Sequence, residues 1–102
     1  MKPCCKEYLN VQFGGDEEIV AEIYNEYASS ARDKTAEAAA ALAAEQYDAL
    51  DKIAHTIKGN ALAAGDGETA EIGIALRSAA KLHSRDEAAG LIEKLNALVA
   101  AL

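Results

Sequence analysis

Positive charge is scarce in this 102-residue chain: ten Lys and Arg stand against seventeen Asp and Glu, a formal net charge of −7 at pH 7. Proteins that bind nucleic acid carry basic patches, so this balance argues against such a partner. The acidic residues are spread along the chain, which reads as solubility. Tryptophan is missing, phenylalanine occurs once, and the one proline is Pro3. No run of alternating β-branched residues occurs, and no interior proline interrupts a helix. No stretch approaches the ~20 apolar residues of a membrane span. Met1-Lys2-Pro3-Cys4-Cys5-Lys6 has no apolar run behind it and is not a secretory signal. A soluble cytoplasmic protein with no membrane partner is expected. Cysteine is confined to Cys4 and Cys5. An adjacent pair staples nothing, so they read as incidental thiols in a tail. Gly14-Gly15 and Gly65-Asp66-Gly67 lack the lysine and flanking strand of a phosphate-binding loop, so no kinase activity of its own is expected.

Alanine is plentiful. It is the best helix former and lets helices pack closely. The length suits one domain able to bury about two-thirds of its unfolded surface. Tyr8, Leu9, Val11 and Phe13 predict a short helix or strap, ended by Gly14-Gly15, so residues 1–15 read as an N-terminal tail and strap. Asp16 is a good N-cap with Glu17 and Glu18 behind it. Val20, Tyr24, Tyr27, Ala31, Ala38 and Leu42 then carry a helical stripe to about Glu45, weakened at Ser29-Ser30. A third helix is expected from an Asp48 cap to Gly65-Asp66-Gly67, and a fourth from about Glu68 to Leu82. Ser84 and Glu87 fit a capping box for a fifth segment with the cleanest apolar stripe, Ala88 to Leu102. Residues 16–102 are therefore expected to form an all-α, antiparallel up-down-up-down four-helix bundle.

The chemistry concentrates at Ala54-His55-Thr56-Ile57-Lys58-Gly59-Asn60. At about 100° per residue, Leu50, Ile53, Ile57, Ala61 and Ala64 form the apolar stripe of the third helix, and His55 points away from it. Asp51, Lys52, Lys58, Gly59 and Leu62 share its outer face at three- and four-residue spacings. Gly59 costs roughly 1 kcal/mol relative to alanine inside a helix. On an exposed face, the gain is room for another backbone to approach the imidazole. Leu62, one turn further, is a candidate docking contact. An imidazole is largely uncharged near neutral pH, so a ring nitrogen is free to attack phosphorus. The bland alternative is an ordinary surface histidine beside a tolerated glycine.

His-Thr-Ile-Lys-Gly-Asn at 55–60, preceded by Ala54 and followed by Gly65 ten residues after the histidine, resembles the phosphorylation motif of histidine phosphotransfer (HPt) domains, the intermediate carriers of phosphorelays. Gly15-Asp16-Glu17-Glu18-Ile19-Val20, Tyr27, Ala41-Leu42-Ala43-Ala44 and Tyr47-Asp48-Ala49-Leu50 extend the resemblance over about residues 13–102. It implies a four-helix bundle in which His55 is the phosphoacceptor, Lys58 neutralises phosphoryl charge, and Asp51, Lys52, Gly59 and Leu62 dock the partner. The implied partners are response-regulator receiver domains and a sensor histidine kinase, with Mg²⁺ supplied by the receiver and no cofactor held by this chain. A monomer is expected. The chain departs from the family at Asp66, where a small or apolar residue is common, at Thr69, where an apolar one is usual, and at Leu76-Arg77, which replaces a frequent Leu-Glu. These three positions are expected on the fourth helix, away from the phosphorylation face.

Three rival readings are weighed against this one. A di-iron bundle needs Glu-x-x-His pairs, but Lys52 and Ala80 stand three residues before His55 and His83, so that reading fails. His83 is expected to be a helix-end cation or a surface residue. The phosphoacceptor domain of chemotaxis-type kinases has a similar motif, and the initiating methionine with a whole bundle favours a stand-alone carrier over such an excised piece. A helical adaptor whose His55 does nothing is the remaining alternative.

Overall fold

The computed structural model describes all residues from Met1 to Leu102 as five α-helices with no strand: α1 (Pro3–Gln12), α2 (Glu17–Ala43), α3 (Tyr47–Ala63), α4 (Gly67–Lys81) and α5 (Arg85–Ala100). The long helices α2 to α5 form the expected bundle. α3 packs between α2 and α4, α5 closes the ring against the same two, and α1 lies on α2. The resulting rod measures 43 × 18 × 17 Å.

The corners share one device. After α2, α3 and α4 the chain passes through a residue with left-handed backbone, Glu45 (φ 55°), Gly65 (φ 74°) and His83 (φ 52°). At each corner the following amide reaches back to a carbonyl of the last turn: Gln46 to Ala41, Asp66 to Ala61, and Ser84 to Ala79. The left-handed residue's own amide bonds Leu42, Leu62 or Ala80 in turn, so the two reverse hydrogen bonds satisfy carbonyls that the helix end would otherwise orphan. Gly65 has a second constraint, because a Cβ there would collide with Cβ of Tyr8 from α1. Gly67 is already the first residue of α4.

Caps differ from expectation in detail. Asp16 does cap α2, accepting from the amides of Glu18 and Ile19. α3 starts from Gln46 rather than Asp48, which falls in the first turn. Ser84 occupies the N-cap of α5 but makes no side-chain capping bond. Helix α2 runs uninterrupted through Ser29-Ser30, and Ser30 Oγ accepts a hydrogen bond from Asn60 Nδ2 of α3 at 3.3 Å.

The interior divides into two clusters along the rod. One is built on Leu50, Ile57, Leu76, Ile92 and Leu95. The other, built on Cys5, Leu9, Tyr24, Tyr27 and Val99, uses α1 as part of its wall. Buried alanines fill both clusters, as the composition predicts. Cys5 is therefore a core residue and not an incidental tail thiol; only Cys4 is exposed. Burial, reinforced by the charge of Asp66, pushes the Cys5 thiol up to about 12.

Asp66 and Thr69, two of the departures from the family pattern, form a polar centre inside this second cluster. Asp66 is fully buried. It accepts hydrogen bonds from Tyr27 Oη (2.6 Å), Thr69 Oγ1 (2.7 Å) and the Thr69 amide, and pairs with Lys2 Nζ at 2.6 Å. Burial alone would raise its carboxyl, but the hydrogen bonds from Lys2, Tyr27 and Thr69 outweigh that and hold it below the usual carboxylate range. Instead of disturbing the packing of α4, Asp66 caps that helix and ties α1, α2 and α4 together. Hydrogen bonds to charged groups contribute about 1.5–3 kcal/mol, so Tyr27→Phe should lower stability by about that amount near neutral pH, read as a shifted urea midpoint. The depressed carboxyl sets the sign with pH. The deficit is full from about pH 3.9 to neutral pH and shrinks as the pH falls through the folded-state value of Asp66, where the carboxylate protonates.

Candidate functional site

His55 lies on α3 between Ala54, which is fully buried, and Thr56, which is exposed; the imidazole itself faces solvent. This is the orientation that the stripe Leu50, Ile53, Ile57, Ala61 and Ala64 predicts, since four of the five are buried and Ile53 is half-buried. Lys52, Gly59 and Leu62 are exposed, while Asp51 and Lys58 are half-buried on the flanks. Leu62 presents 53% of its surface. A Cβ added to Gly59 would meet nothing within 4 Å, so the space beside the imidazole is open. Neither Lys52 nor Lys58 forms an ion pair.

Asp51 is engaged: its Oδ1 accepts from Arg77 Nε of α4 at 2.8 Å. The same guanidinium places Nη1 3.1 Å from His55 Nδ1. The expectation that Arg77 lies away from the phosphorylation face is therefore wrong. In an antiparallel pair, residues equidistant from the corner come level. His55 and Arg77 are each eleven residues from Asp66. That count is a signal available in the sequence.

Nothing in the sequence pattern marks Gly73. It is buried, and a Cβ there would lie 3.1 Å from the backbone nitrogen of Lys58. Its bare backbone lets α4 press against α3 behind the outer face, which brings Arg77 within reach of His55. Ile74, 54% exposed, adds an apolar side chain on α4 one turn before Arg77.

The other histidine differs in setting. His83 sits in the α4–α5 corner, just past the helix, with its ring stacked on Tyr47 at a centroid distance of 4.5 Å. No three His, Cys, Asp or Glu side chains stand close enough together to hold a metal ion. No helix is long and apolar enough to cross a membrane.

The arrangement offers one exposed imidazole with an occupied Nδ1 and an unencumbered Nε2. An unpaired lysine lies one turn away, and a side-chain-free patch adjoins it. Such a ring can exchange a group with a docked partner. Among known proteins, the family model for the Hpt domain matches residues 22–102. No curated protein and no solved structure matches the chain.

Proposed function

The chain belongs to the Hpt-domain family, whose members pass phosphoryl groups through a histidine in phosphorelays, and from that premise we propose that His55 of this chain is the phosphoacceptor. The group arrives from a phosphorylated receiver domain or a sensor histidine kinase, and leaves to the aspartate of a receiver domain. The supporting observation is the exposed imidazole beside the open surface at Gly59. With no side chain at Gly59, the backbone or a loop of a partner can approach the imidazole closely.

Phosphoryl transfer needs in-line positioning and neutralisation of charge on the phosphoryl oxygens. Lys58 supplies positive charge from one turn away, while Mg²⁺ belongs to the receiver and this chain contributes no cofactor. Asp51, Lys52, Gly59 and Leu62 form the docking face, with Asp51 acting through its pair with Arg77. The chain works as a carrier without kinase activity, as a monomer in the cytoplasm where receivers operate. Residues 16–102 carry the transfer, and residues 1–15 brace the bundle.

Incubation with a phosphorylated receiver should yield an acid-labile, base-stable phosphoprotein; an unlabelled product with every receiver tried would favour the inert adaptor. Lys58→Ala should slow transfer by about tenfold or less, since a solvent-screened charge a few ångströms away is worth on the order of 1 kcal/mol. Single-turnover rates against one receiver measure this. Complete loss of transfer in a folded variant would show that Lys58 does more than neutralise charge.

A further inference from the structure

The His55 ring meets another polar side chain at one atom. Nδ1 stands 3.1 Å from Arg77 Nη1, and Arg77 is itself fixed by the 2.8 Å bond from Nε to Asp51 Oδ1. A guanidinium has donors only and does not lose its proton in proteins. Nδ1 must therefore accept, and a neutral ring in this contact carries its proton on Nε2. Asp51 lies one turn before His55 on the same helix face, so carboxylate, guanidinium and imidazole form a chain across the α3–α4 contact. The close approach of the two helices at Gly73 sets its span.

We propose that Arg77, held by Asp51, is a positioning residue that keeps resting His55 in the Nε2–H tautomer and, once Nε2 carries a phosphoryl group, occupies Nδ1 and makes the phosphohistidine long-lived. The second half rests on His55 being the phosphoacceptor. Acceptance needs a lone pair on Nε2. That pair forms the N–P bond while the bond from phosphorus to the donor oxygen breaks, its electrons leaving with the carboxylate. The ring proton must then sit on Nδ1 during attack, and it passes to solvent afterwards. Arg77 opposes that tautomer, because two donors would face each other. In the return step the N–P electrons go back to Nε2. The departing ring is neutral imidazole only if Nδ1 has first taken a proton; otherwise it is imidazolate, a far poorer leaving group. A guanidinium on Nδ1 competes with that proton. Arg77 thus restrains both steps until it is drawn aside, and a docked partner with a carboxylate facing α4 would do so.

The test uses the full chain with ¹⁵N-labelled histidine, in wild type, Arg77→Met, Arg77→Glu and Asp51→Asn, each checked for an unchanged thermal melt. Long-range ¹H–¹⁵N correlations at alkaline pH report the tautomer of the unphosphorylated ring. Wild type should show the proton on Nε2, and Arg77→Glu should move it to Nδ1, where a carboxylate accepts. After labelling with phosphoramidate, the phosphohistidine of Arg77→Met should decay several-fold faster than that of wild type, with Asp51→Asn between them. Labelling of Arg77→Met should also be faster, as Nε2 gives up its proton more readily. An Nδ1–H tautomer in wild type, or a phosphohistidine lifetime unchanged or longer in Arg77→Met, overturns the proposal. Because the tautomer is read without phosphate, its failure leaves the carrier reading standing. Failure of wild-type His55 to label overturns the carrier reading, and the phosphohistidine half of this proposal with it.

Discussion

His55→Gln should leave the helical fold intact and abolish phosphoryl acceptance. The side chain is exposed and its neighbour Ala54 carries the buried contact, so the substitution opens no cavity. A surface change of this kind is worth about 0.5 kcal/mol or less, and the melting temperature should scarcely move. The chemical effect is total, because glutamine has no nucleophilic ring nitrogen and no other side chain on this face replaces it. His83 provides the internal control. It is the only other histidine, and it sits in the α4–α5 corner with its ring stacked on Tyr47. Radiolabel transfer from a phosphorylated receiver, with a circular dichroism melt in parallel, measures both effects. Label retained on His83 in the variant would refute the assignment.

Gly59→Gln should separate docking from chemistry. Gly59 has ordinary helical backbone with open space above it, so added atoms enter solvent and meet no protein neighbour. Gly59→Ala should even raise stability by up to about 1 kcal/mol, because alanine favours the helix and narrows the unfolded ensemble. The glutamine variant should also fold, but its side chain fills the space that a receiver needs. Transfer from a receiver should therefore fall by about tenfold or more, the equivalent of about 1.4 kcal/mol of lost docking, whereas reaction with the small donor phosphoramidate should hardly change. Equal losses with both donors would mean that the imidazole itself is disturbed. No loss with either would return Gly59 to a tolerated surface glycine.

Much of this was legible in the sequence because helical periodicity is a strong signal. The stripe through Leu50, Ile53, Ile57, Ala61 and Ala64 specified both the buried side of α3 and the outward direction of His55. The corners were less legible. Gly65 marks one of them, but Glu45 and His83 take the same left-handed conformation without being glycine, at a cost of about 1–2 kcal/mol each that local propensity does not reveal. Asp66 reads as an anomaly in a small-residue position because its partners, Lys2 and Tyr27, are distant in sequence. Burial of a carboxylate is explicable only when those donors are in view. Cys5 was misread for a similar reason, since a short first helix with a mixed pattern gives no sign that it walls a core. The placement of Arg77 was the least legible, because periodicity treats helices one at a time and its contact with His55 belongs to a pair. Counting outward from the Gly65-Asp66 corner recovers it.

The central claim is that the exposed ring of His55 carries phosphoryl groups between partners. Its most direct test is to phosphorylate the full-length wild-type chain with a phosphorylated receiver and locate the phosphorus by ³¹P and ¹⁵N NMR. The account predicts an acid-labile, base-stable phosphoryl group on Nε2 of His55, which is lost again when unphosphorylated receiver is added. A phosphoryl group on any other residue, or one on His55 that no receiver can remove, would contradict it.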